Sequence, residues 1–223
     1  MKNRENVYFC KTNVYGIPLI LHPNAERFMY YQLITEKMPI QKVTREKILA
    51  KSLEVFRSRG YHHTSMADLA NAVGLLKGSF YYYFDSKETL MKEVLSNINI
   101  FLKASVFPIA HDSTLSIELR MENMIKLFSK TVFSADGGCI IGNTILETVN
   151  QYPIFKEILQ EIITGWMEAL TYLFAHSYSP YQAQKLAEQT IMEYEGAIMM
   201  AKLYGKSHFY KDCYIRTLHR LTE

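Results

Sequence analysis

The pattern of apolar and polar residues changes at about Thr44. From there on, apolar residues recur every three or four positions, which is the spacing of one face of an α-helix. The first such face consists of Ile48, Leu49, Leu53 and Phe56. Gly60 follows it, and glycine commonly ends a helix. The same spacing returns along the rest of the chain, so the pattern predicts an all-α fold.

Two short helices joined by a glycine turn are expected next. Thr64 and Ser65 carry hydroxyls that can cap the first of them, and Gly74 permits the tight turn that ends it. The second is expected over residues 77–84, and Ser86 can cap a further helix. Helices so joined are typical of a helix-turn-helix motif. We therefore predict a three-helix, helix-turn-helix DNA-binding domain over residues 44–92, followed by a helical domain over residues 93–223.

The first 43 residues show no sustained period and form a poorly defined extension. Gly16, Pro18, Pro23 and Pro39 interrupt them. A signal peptide is not expected, because no long apolar run follows a basic lead. Two interpretations stay open for residues 1–37: a loose extension, with translation beginning at Met38, or a basic arm that touches DNA. We favour the first, because basic arms usually carry denser clusters of Lys and Arg.

Two long apolar stripes mark the C-terminal half. Pro153 and Pro180 each suit the first turn of a helix. The first stripe consists of Phe155, Leu159, Ile162, Trp166, Ala169 and Leu173, and the second of Ala187, Ile191, Tyr194, Ile198, Ala201 and Gly205. Both step by alternating four and three residues, so each indicates a long helix.

The composition sets limits on the class of protein. The chain has 223 residues, of which 48% are hydrophobic, so it can form one large domain or two smaller ones with a real core. Its cysteines, Cys10, Cys139 and Cys213, are widely spaced and odd in number, which argues against a disulfide scaffold and fits a cytoplasmic location. No apolar run is long enough to span a bilayer, so no membrane partner is expected.

The net charge of +3 is too small to indicate nucleic acid by itself. Its distribution is more informative. Residues 1–43 and 44–105 each carry a net charge of +3, whereas residues 106–223 carry −3. The N-terminal part of the chain is therefore basic and the C-terminal part acidic.

The expected third helix carries the candidate chemistry. Phe80 and Phe84 are four residues apart, so they share one face and can fill the core. Lysine, serine and tyrosine occupy the other faces, and these side chains bind phosphate oxygens and base edges. They are Lys77, Ser79, Tyr81, Tyr82 and Tyr83. Gly78 lets the backbone come close to DNA, and Lys87 begins the next helix, where an ammonium can meet phosphate.

These motifs together resemble the DNA-binding region of the tetracycline-repressor (TetR) family. The resemblance covers about Thr44 to Leu95 and rests on the runs at 64–70, 73–74, 77–84 and 86–90. It implies an all-helical homodimer that binds a palindromic operator in double-stranded DNA, most often as a repressor that a small molecule releases. It also implies DNA contacts from Ser65, Lys77, Gly78, Ser79, Tyr81, Tyr82 and Lys87, with Thr64 and Tyr83 as neighbours. The sequence departs from the family pattern at Leu75-Leu76, where a polar residue is more usual; Leu76 offers only a thymine-methyl contact.

By the same resemblance, the C-terminal half supplies an effector pocket and a dimer interface. The run Gly-Cys-Ile-Ile-Gly-Asn at 138–143 resembles one subgroup of such regulators. Large, adaptable side chains are the pocket candidates: Met121, Met124, Phe128, Trp166, Met167, Tyr194 and Met199. The stripes supply the dimer candidates: Phe155, Leu159, Ile162, Ile191, Ile198 and Ala201. The stripes could instead serve only the monomer core, but we favour the dimer because a palindromic operator needs two-fold symmetry.

Three functional hypotheses follow. We favour a regulator whose effector, by binding the C-terminal domain, selects a dimer with the wrong spacing between its recognition helices. The second is a DNA-binding protein of the same fold controlled by a protein partner. An enzyme is not expected, because no nucleophile–base pair or catalytic carboxylate pair is evident. No metal or cofactor is expected either, because His62-His63 lack a third ligand nearby. A redox role is not favoured for Cys139, because no resolving cysteine lies near it in the sequence.

Overall fold

The computed structural model describes residues 43–134 and 137–221. Within these ranges the chain is almost entirely helical, which confirms the all-α prediction. The N-terminal helices are α1 (Arg45–Arg59), α2 (Met66–Ala72), α3 (Lys77–Tyr81) and α4 (Lys87–Phe101). A π-helical turn (Leu102–Val106) and a 3-10 turn (Phe107–His111) lead to α5 (Ile117–Val132), α6 (Ile140–Thr148), α7 (Pro153–Phe174), α8 (Pro180–Tyr204) and α9 (His208–His219). The predictions made for residues 1–37 fall outside the described part of the chain.

A two-residue antiparallel ladder joins α5 to α6. Strand β1 (Phe133–Ser134) pairs with β2 (Gly138–Cys139), with Phe133 opposite Cys139. Cys139 also forms the N-cap of α6, where its thiol sulfur accepts the N–H of Gly142 at 3.4 Å. The sequence pattern gave no sign of this ladder, because two residues are too few to show a period.

Local chemistry explains where the helices begin. The hydroxyls of Thr44, Ser65 and Ser86 each accept the backbone N–H three residues on, at the start of α1, α2 and α4. Ser65 and Asp68 form a complete capping box. The predicted domain boundary at residue 92 falls inside α4, which runs unbroken from Lys87 to Phe101. One helix therefore belongs both to the helix-turn-helix region and to the bundle that follows it.

The stripe on α7 is buried within a single chain. Phe155, Leu159 and Ile162 are at most 2% exposed, because α7 packs between α4 and α8. The prediction that these three residues form a dimer interface is therefore wrong. The alternative interpretation, a stripe that serves the monomer core, holds for α7. Periodicity shows that a face is apolar, but it does not show what covers that face.

The helix-turn-helix region is joined to the bundle at the loop after α1. Tyr61 is 3% exposed, and its ring meets those of Tyr152 and Phe155 edge-on, at centroid distances of 5.2 and 5.3 Å. Beside it, the carboxylate of Glu147 in α6 accepts the backbone N–H of His62 at 2.9 Å. None of the described helices combines the length and apolar character needed to cross a membrane.

We predict that Gly60→Ala destabilises the protein more than Gly74→Ala. Both glycines have positive φ, +78° and +72°, so an alanine is strained at each by about 1–3 kcal/mol, and Gly60, with a ψ of 172°, lies in a region that essentially only glycine occupies. A Cβ at Gly60 would also overlap the Glu147 carboxylate, whereas a Cβ at Gly74 would meet nothing within 4 Å. Urea unfolding of the two variants measures the difference. We expect a further loss of about 0.5–1.5 kcal/mol at Gly60 as the hydrogen bond to His62 is disturbed. Equal losses would contradict the prediction, because neither the backbone at Gly60 nor the Glu147 contact would then add to the cost.

Candidate nucleic-acid interface

Helix α3 is held by two buried phenylalanines. Phe80 and Phe84 are 0% and 1% exposed, with ring centroids 6.2 Å apart, which confirms the prediction that they fill the core. The helix has only five residues, and its N-cap residue Leu76 makes no side-chain cap bond. Burial of Phe80 and Phe84, rather than helix propensity, therefore fixes the orientation of this segment.

The rest of α3 faces solvent. Lys77, Gly78, Ser79, Tyr81 and Tyr82 are all exposed, and Tyr82 is 89% exposed. This surface combines an ammonium, a hydroxyl and two phenols around one apolar side chain, Leu76, which is 80% exposed. Such donors can bind phosphate oxygens and base edges, and Leu76 can meet a thymine methyl group. A Cβ at Gly78 would meet nothing within 4 Å, so the fold itself does not require a glycine there.

Tyr83 is turned the other way. Its hydroxyl donates to the carbonyl of Val43 at 3.1 Å, and its own carbonyl accepts from Arg45 Nη1 at 2.8 Å. Arg45 in turn pairs with Glu93 of α4 and lies 4.1 Å above the ring of Phe84. Tyr83 thus fastens the end of α3 to the start of α1, and the structure argues against its predicted place beside DNA.

Thr64 and Ser65 differ although they are adjacent. Thr64 is 2% exposed and its hydroxyl donates to the Gly60 carbonyl at 2.7 Å, so its side chain cannot reach DNA in this conformation, and the prediction needs correction. Ser65 is exposed, and its hydroxyl donates to Asp68 Oδ2 at 2.6 Å. The hydrogen bonds from Ser65, followed by the pairing with Arg59, lower the pKa of Asp68. Ser65 therefore caps α2 while remaining accessible.

Lys87 has a structural partner. Its ammonium donates to the Tyr61 carbonyl at 2.7 Å and lies 4.3 Å above the Tyr61 ring. Partial burial lowers its pKa, against the opposing effect of Glu147. An ammonium has three N–H donors, so two remain for another acceptor. The histidines nearby, His62 and His63, are exposed, and no cluster of three or more potential metal ligands occurs in the described part of the chain.

A narrow cavity lies in the C-terminal bundle. It offers about 20 Å³, room for about one water molecule. It is lined by Ile125, Phe128, Ser129, Val132, Phe133, Ile141, Ile163, Trp166, Ile191, Tyr194, Glu195 and Ile198. The walls are therefore mainly apolar and aromatic, the kind of lining that small-molecule sites have.

The cavity contains only part of the predicted pocket set. Phe128, Trp166 and Tyr194 line it. Met121 and Met124 are fully buried outside it, and Met167 is half-buried against the core. Met199 is 63% exposed, so its prediction as a pocket residue is wrong. Two residues predicted for a dimer interface, Ile191 and Ile198, line the cavity instead.

Sequence reasoning missed Glu195, which carries the one carboxylate among the lining residues. Burial raises its pKa, and the Cys139 thiol beside it opposes that rise. Burial likewise raises the pKa of the Cys139 thiol, which is 3% exposed, so this cysteine is a poor candidate for oxidation. A signal for Glu195 was present: it sits one residue from Tyr194 on the apolar stripe and lacks a basic residue three or four positions away on its N-terminal side.

Each half of the chain matches a known family model. The family model described as "Bacterial regulatory proteins, tetR family" matches residues 48–94. The family model "Transcriptional regulator LmrA/YxaF-like, C-terminal domain" matches residues 116–211. The first match contains α2, α3 and the exposed surface around Tyr82, and the second contains the cavity.

Individual proteins agree with these matches. The chain is 26% identical over 166 residues to the HTH-type transcriptional repressor DhaR of Mycobacterium sp. (strain GP1), covering 71% of this chain and 82% of DhaR. It is 41% identical over 51 residues to the HTH-type transcriptional repressor KstR2 of Rhodococcus jostii, covering 23% of this chain and 25% of KstR2. The crystal structure of a TetR transcriptional regulator from Legionella pneumophila has the same fold, with a TM-score of 0.71, 24% identity, and coverage of 78% of this chain and 95% of that one.

We predict that Tyr83→Phe destabilises the protein and that Tyr82→Phe does not. Loss of the Tyr83 hydroxyl leaves the Val43 carbonyl without this donor, at a cost of about 0.5–1.5 kcal/mol. Tyr82 is almost fully exposed, so its hydroxyl contributes nothing measurable to folding. Urea unfolding of the two variants checks both statements. A larger loss for Tyr82→Phe would mean that the roles assigned to the two tyrosines are reversed.

Proposed function

The chain belongs to the TetR family of bacterial regulatory proteins, and from this premise we propose that it is a repressor that leaves its palindromic operator when a small molecule binds its C-terminal half. The observation that carries the proposal is the surface of α3. That helix buries Phe80 and presents Lys77, Ser79 and Tyr82 to solvent. The repressor names of DhaR and KstR2 support repression over activation.

We propose that α3 enters the major groove and that its exposed face makes the sequence-reading contacts. The proposed contact set is Ser65, Lys77, Gly78, Ser79, Tyr81 and Tyr82, with Lys87 reaching phosphate through the two N–H bonds that Tyr61 does not take. Thr64 and Tyr83 are left out, because their hydroxyls are engaged within the protein. Tyr82 supplies the most exposed ring and Lys77 the charge, so we assign Tyr82 to base edges and Lys77 to phosphate.

We also propose that a homodimer forms through an exposed face of α8 rather than through the predicted stripe. Met192, Gly196, Met199 and Leu203 step by four, three and four residues, so they share one face. Met192, Met199 and Leu203 are 63–71% exposed, and a Cβ at Gly196 would meet nothing within 4 Å. Ile215 of the neighbouring helix α9 is also exposed. A second copy of this face would bury these side chains and allow close approach at Gly196.

Helix α6 offers the connection between the cavity and the DNA-binding helices. Near its start, Ile141 lines the cavity and Gly142 leaves the space that the Glu195 carboxylate fills. Near its end, Glu147 holds the loop at Gly60 and His62. A ligand that enlarges the cavity would displace α6 and, through Glu147, the base of α2. The population would then shift towards dimers whose two α3 helices no longer match the operator.

We predict that Lys77→Ala weakens operator binding and reduces its salt dependence. The purified protein should shift DNA from its own promoter region, and the affinity should fall steeply with salt. Loss of one phosphate contact reduces the slope of log affinity against log salt by about 1. Gel-shift titrations at several salt concentrations measure the slope. The control is Lys156→Ala on α7, an exposed lysine far along the chain from α3.

An unchanged slope for Lys77→Ala would remove Lys77 from the contact set. Failure of the unmodified protein to bind any DNA from its gene neighbourhood would contradict the proposed function itself. Release of bound DNA by a small molecule, tested with the same titration, separates an effector-controlled repressor from one controlled by a protein partner.

We predict that Leu203→Glu converts the dimer into a folded monomer. Leu203 is 71% exposed in the single chain, so a glutamate there leaves the monomer intact but places a charge in the proposed interface. The control is Leu146→Glu on α6, which lies off this face and is 87% exposed. Sedimentation at micromolar concentration should show a monomer only for Leu203→Glu. A dimer that survives this change would place the interface elsewhere.

A further inference from the structure

The cavity in the C-terminal bundle contains an acid without a basic partner. Glu193 and Glu195 both lie on α8, but they point to different sides. Glu193 accepts from Arg220 at 2.5 Å and lies 3.6 Å from Arg216. Glu195 lines the cavity, and no ion pair links it to a Lys, Arg or His in the described part of the chain. The Glu195 carboxylate has the Cys139 thiol, a weak donor, as its polar neighbour.

This arrangement is costly for a protein with no ligand. A carboxylate taken out of water needs a positive charge or several strong donors to offset the lost hydration. Glu195 is partly withdrawn from water, has neither among the described residues, and burial raises its pKa. A glutamine of the same shape would fill the same space without that cost. We therefore expect the positive partner of Glu195 to be part of a ligand.

The aromatic walls of the cavity favour the same kind of ligand. Phe128 stacks on Trp166 with ring centroids 3.9 Å apart and an angle of 19° between the planes. Phe107 reaches the same indole, with a centroid distance of 6.4 Å. Aromatic faces of this kind suit the apolar body of a ligand. One cavity thus brings together aromatic faces for an apolar body and a carboxylate that no basic residue pairs with in the described part of the chain.

We propose that the cavity accepts an apolar organic cation, whose ammonium group pairs with the Glu195 carboxylate and whose apolar body enters between Phe128 and Trp166. The proposal rests on the proposed function, because it names the chemical class of the effector. The cavity holds only about 20 Å³, so the ligand must separate the two stacked rings to enter. Phe128 is half-buried, so its ring can move on its solvent side.

The pairing would also act on α6. The Glu195 carboxylate occupies the space that a side chain at position 142 would need, and it packs there against Gly142. An ammonium group that draws the carboxylate into the cavity removes this contact from the start of α6. The other end of α6 holds the loop at His62 through Glu147. Binding of the cation to Glu195 would therefore itself displace α6.

The test uses three probes of one shape and different charge: 1-adamantylmethylammonium, 1-adamantylmethanol and 1-adamantanecarboxylate. None absorbs where tryptophan is excited, and Trp166 is the chain's one tryptophan. Its fluorescence, measured on the full-length protein without DNA, therefore reports binding in this cavity. We expect the cation to bind at least about tenfold more tightly than the alcohol, the gain of a charge-assisted hydrogen bond, and the carboxylate to bind most weakly.

The variant Glu195→Gln identifies the group responsible. It should abolish the preference for the cation, leave the affinity for the alcohol unchanged and raise the melting temperature, since no charge is left to bury. A merely structural carboxylate would give the opposite stability change. The control is Glu168→Gln, an exposed acid on α7, which should alter neither measurement.

Equal affinity for the cation and the alcohol, no binding by any probe, or a lower melting temperature for Glu195→Gln would overturn the proposal. These results are distinct from failure of the proposed function. A protein that binds its operator and is released by a neutral or acidic compound keeps that function and loses this inference. A protein that binds no operator loses the function, whereas the Trp166 titration still decides which ligand the cavity prefers.

Discussion

The ring of Tyr61 lies where the helix-turn-helix region meets the bundle, and the positions of the DNA-binding helices depend on its packing. It stacks on Phe56 of α1, with centroids 6.1 Å apart, and meets Tyr152 and Phe155 edge-on. Lys87 of α4 covers it with an ammonium group. One buried aromatic ring therefore contacts the first helix, the shared helix and the start of α7. Helices α1, α2 and α3 together are too small to form a stable core alone, so their orientation follows that of the bundle.

Helix α6 lies at this junction and is held at both ends. Nine residues of α-helix span about 13 Å, and this length separates the cavity from the loop after α1. At each end a carboxylate occupies space beside a glycine: Glu195 at Gly142 and Glu147 at Gly60. The proposed release of DNA would use this arrangement, with α6 moving as one rigid element between its two carboxylate contacts.

The sequence predicted features that local chemistry decides. The caps at Thr44, Ser65 and Ser86 follow from hydroxyl geometry, and the burial of Phe80 and Phe84 follows from their spacing. Features that depend on tertiary packing could not be predicted in the same way. An apolar stripe has the same period whether the monomer or a partner covers it, so the stripe on α7 was assigned to the wrong contact. Thr64 and Ser65 are chemically similar neighbours, and only the fold shows that one hydroxyl turns inward.

In α3 the residues that stabilise the fold are separate from those that face solvent, and this affects how the protein can evolve. The fold depends on Phe80 and Phe84, whereas the outward side chains contribute little to stability because they contact little else in the protein. Substitutions at Lys77, Ser79, Tyr81 and Tyr82 can therefore accumulate without unfolding the domain. A duplicated copy of the gene could acquire a new operator preference in a few single steps, each of which leaves a folded protein. The same separation makes this short helix a suitable place to introduce a chosen DNA specificity by design.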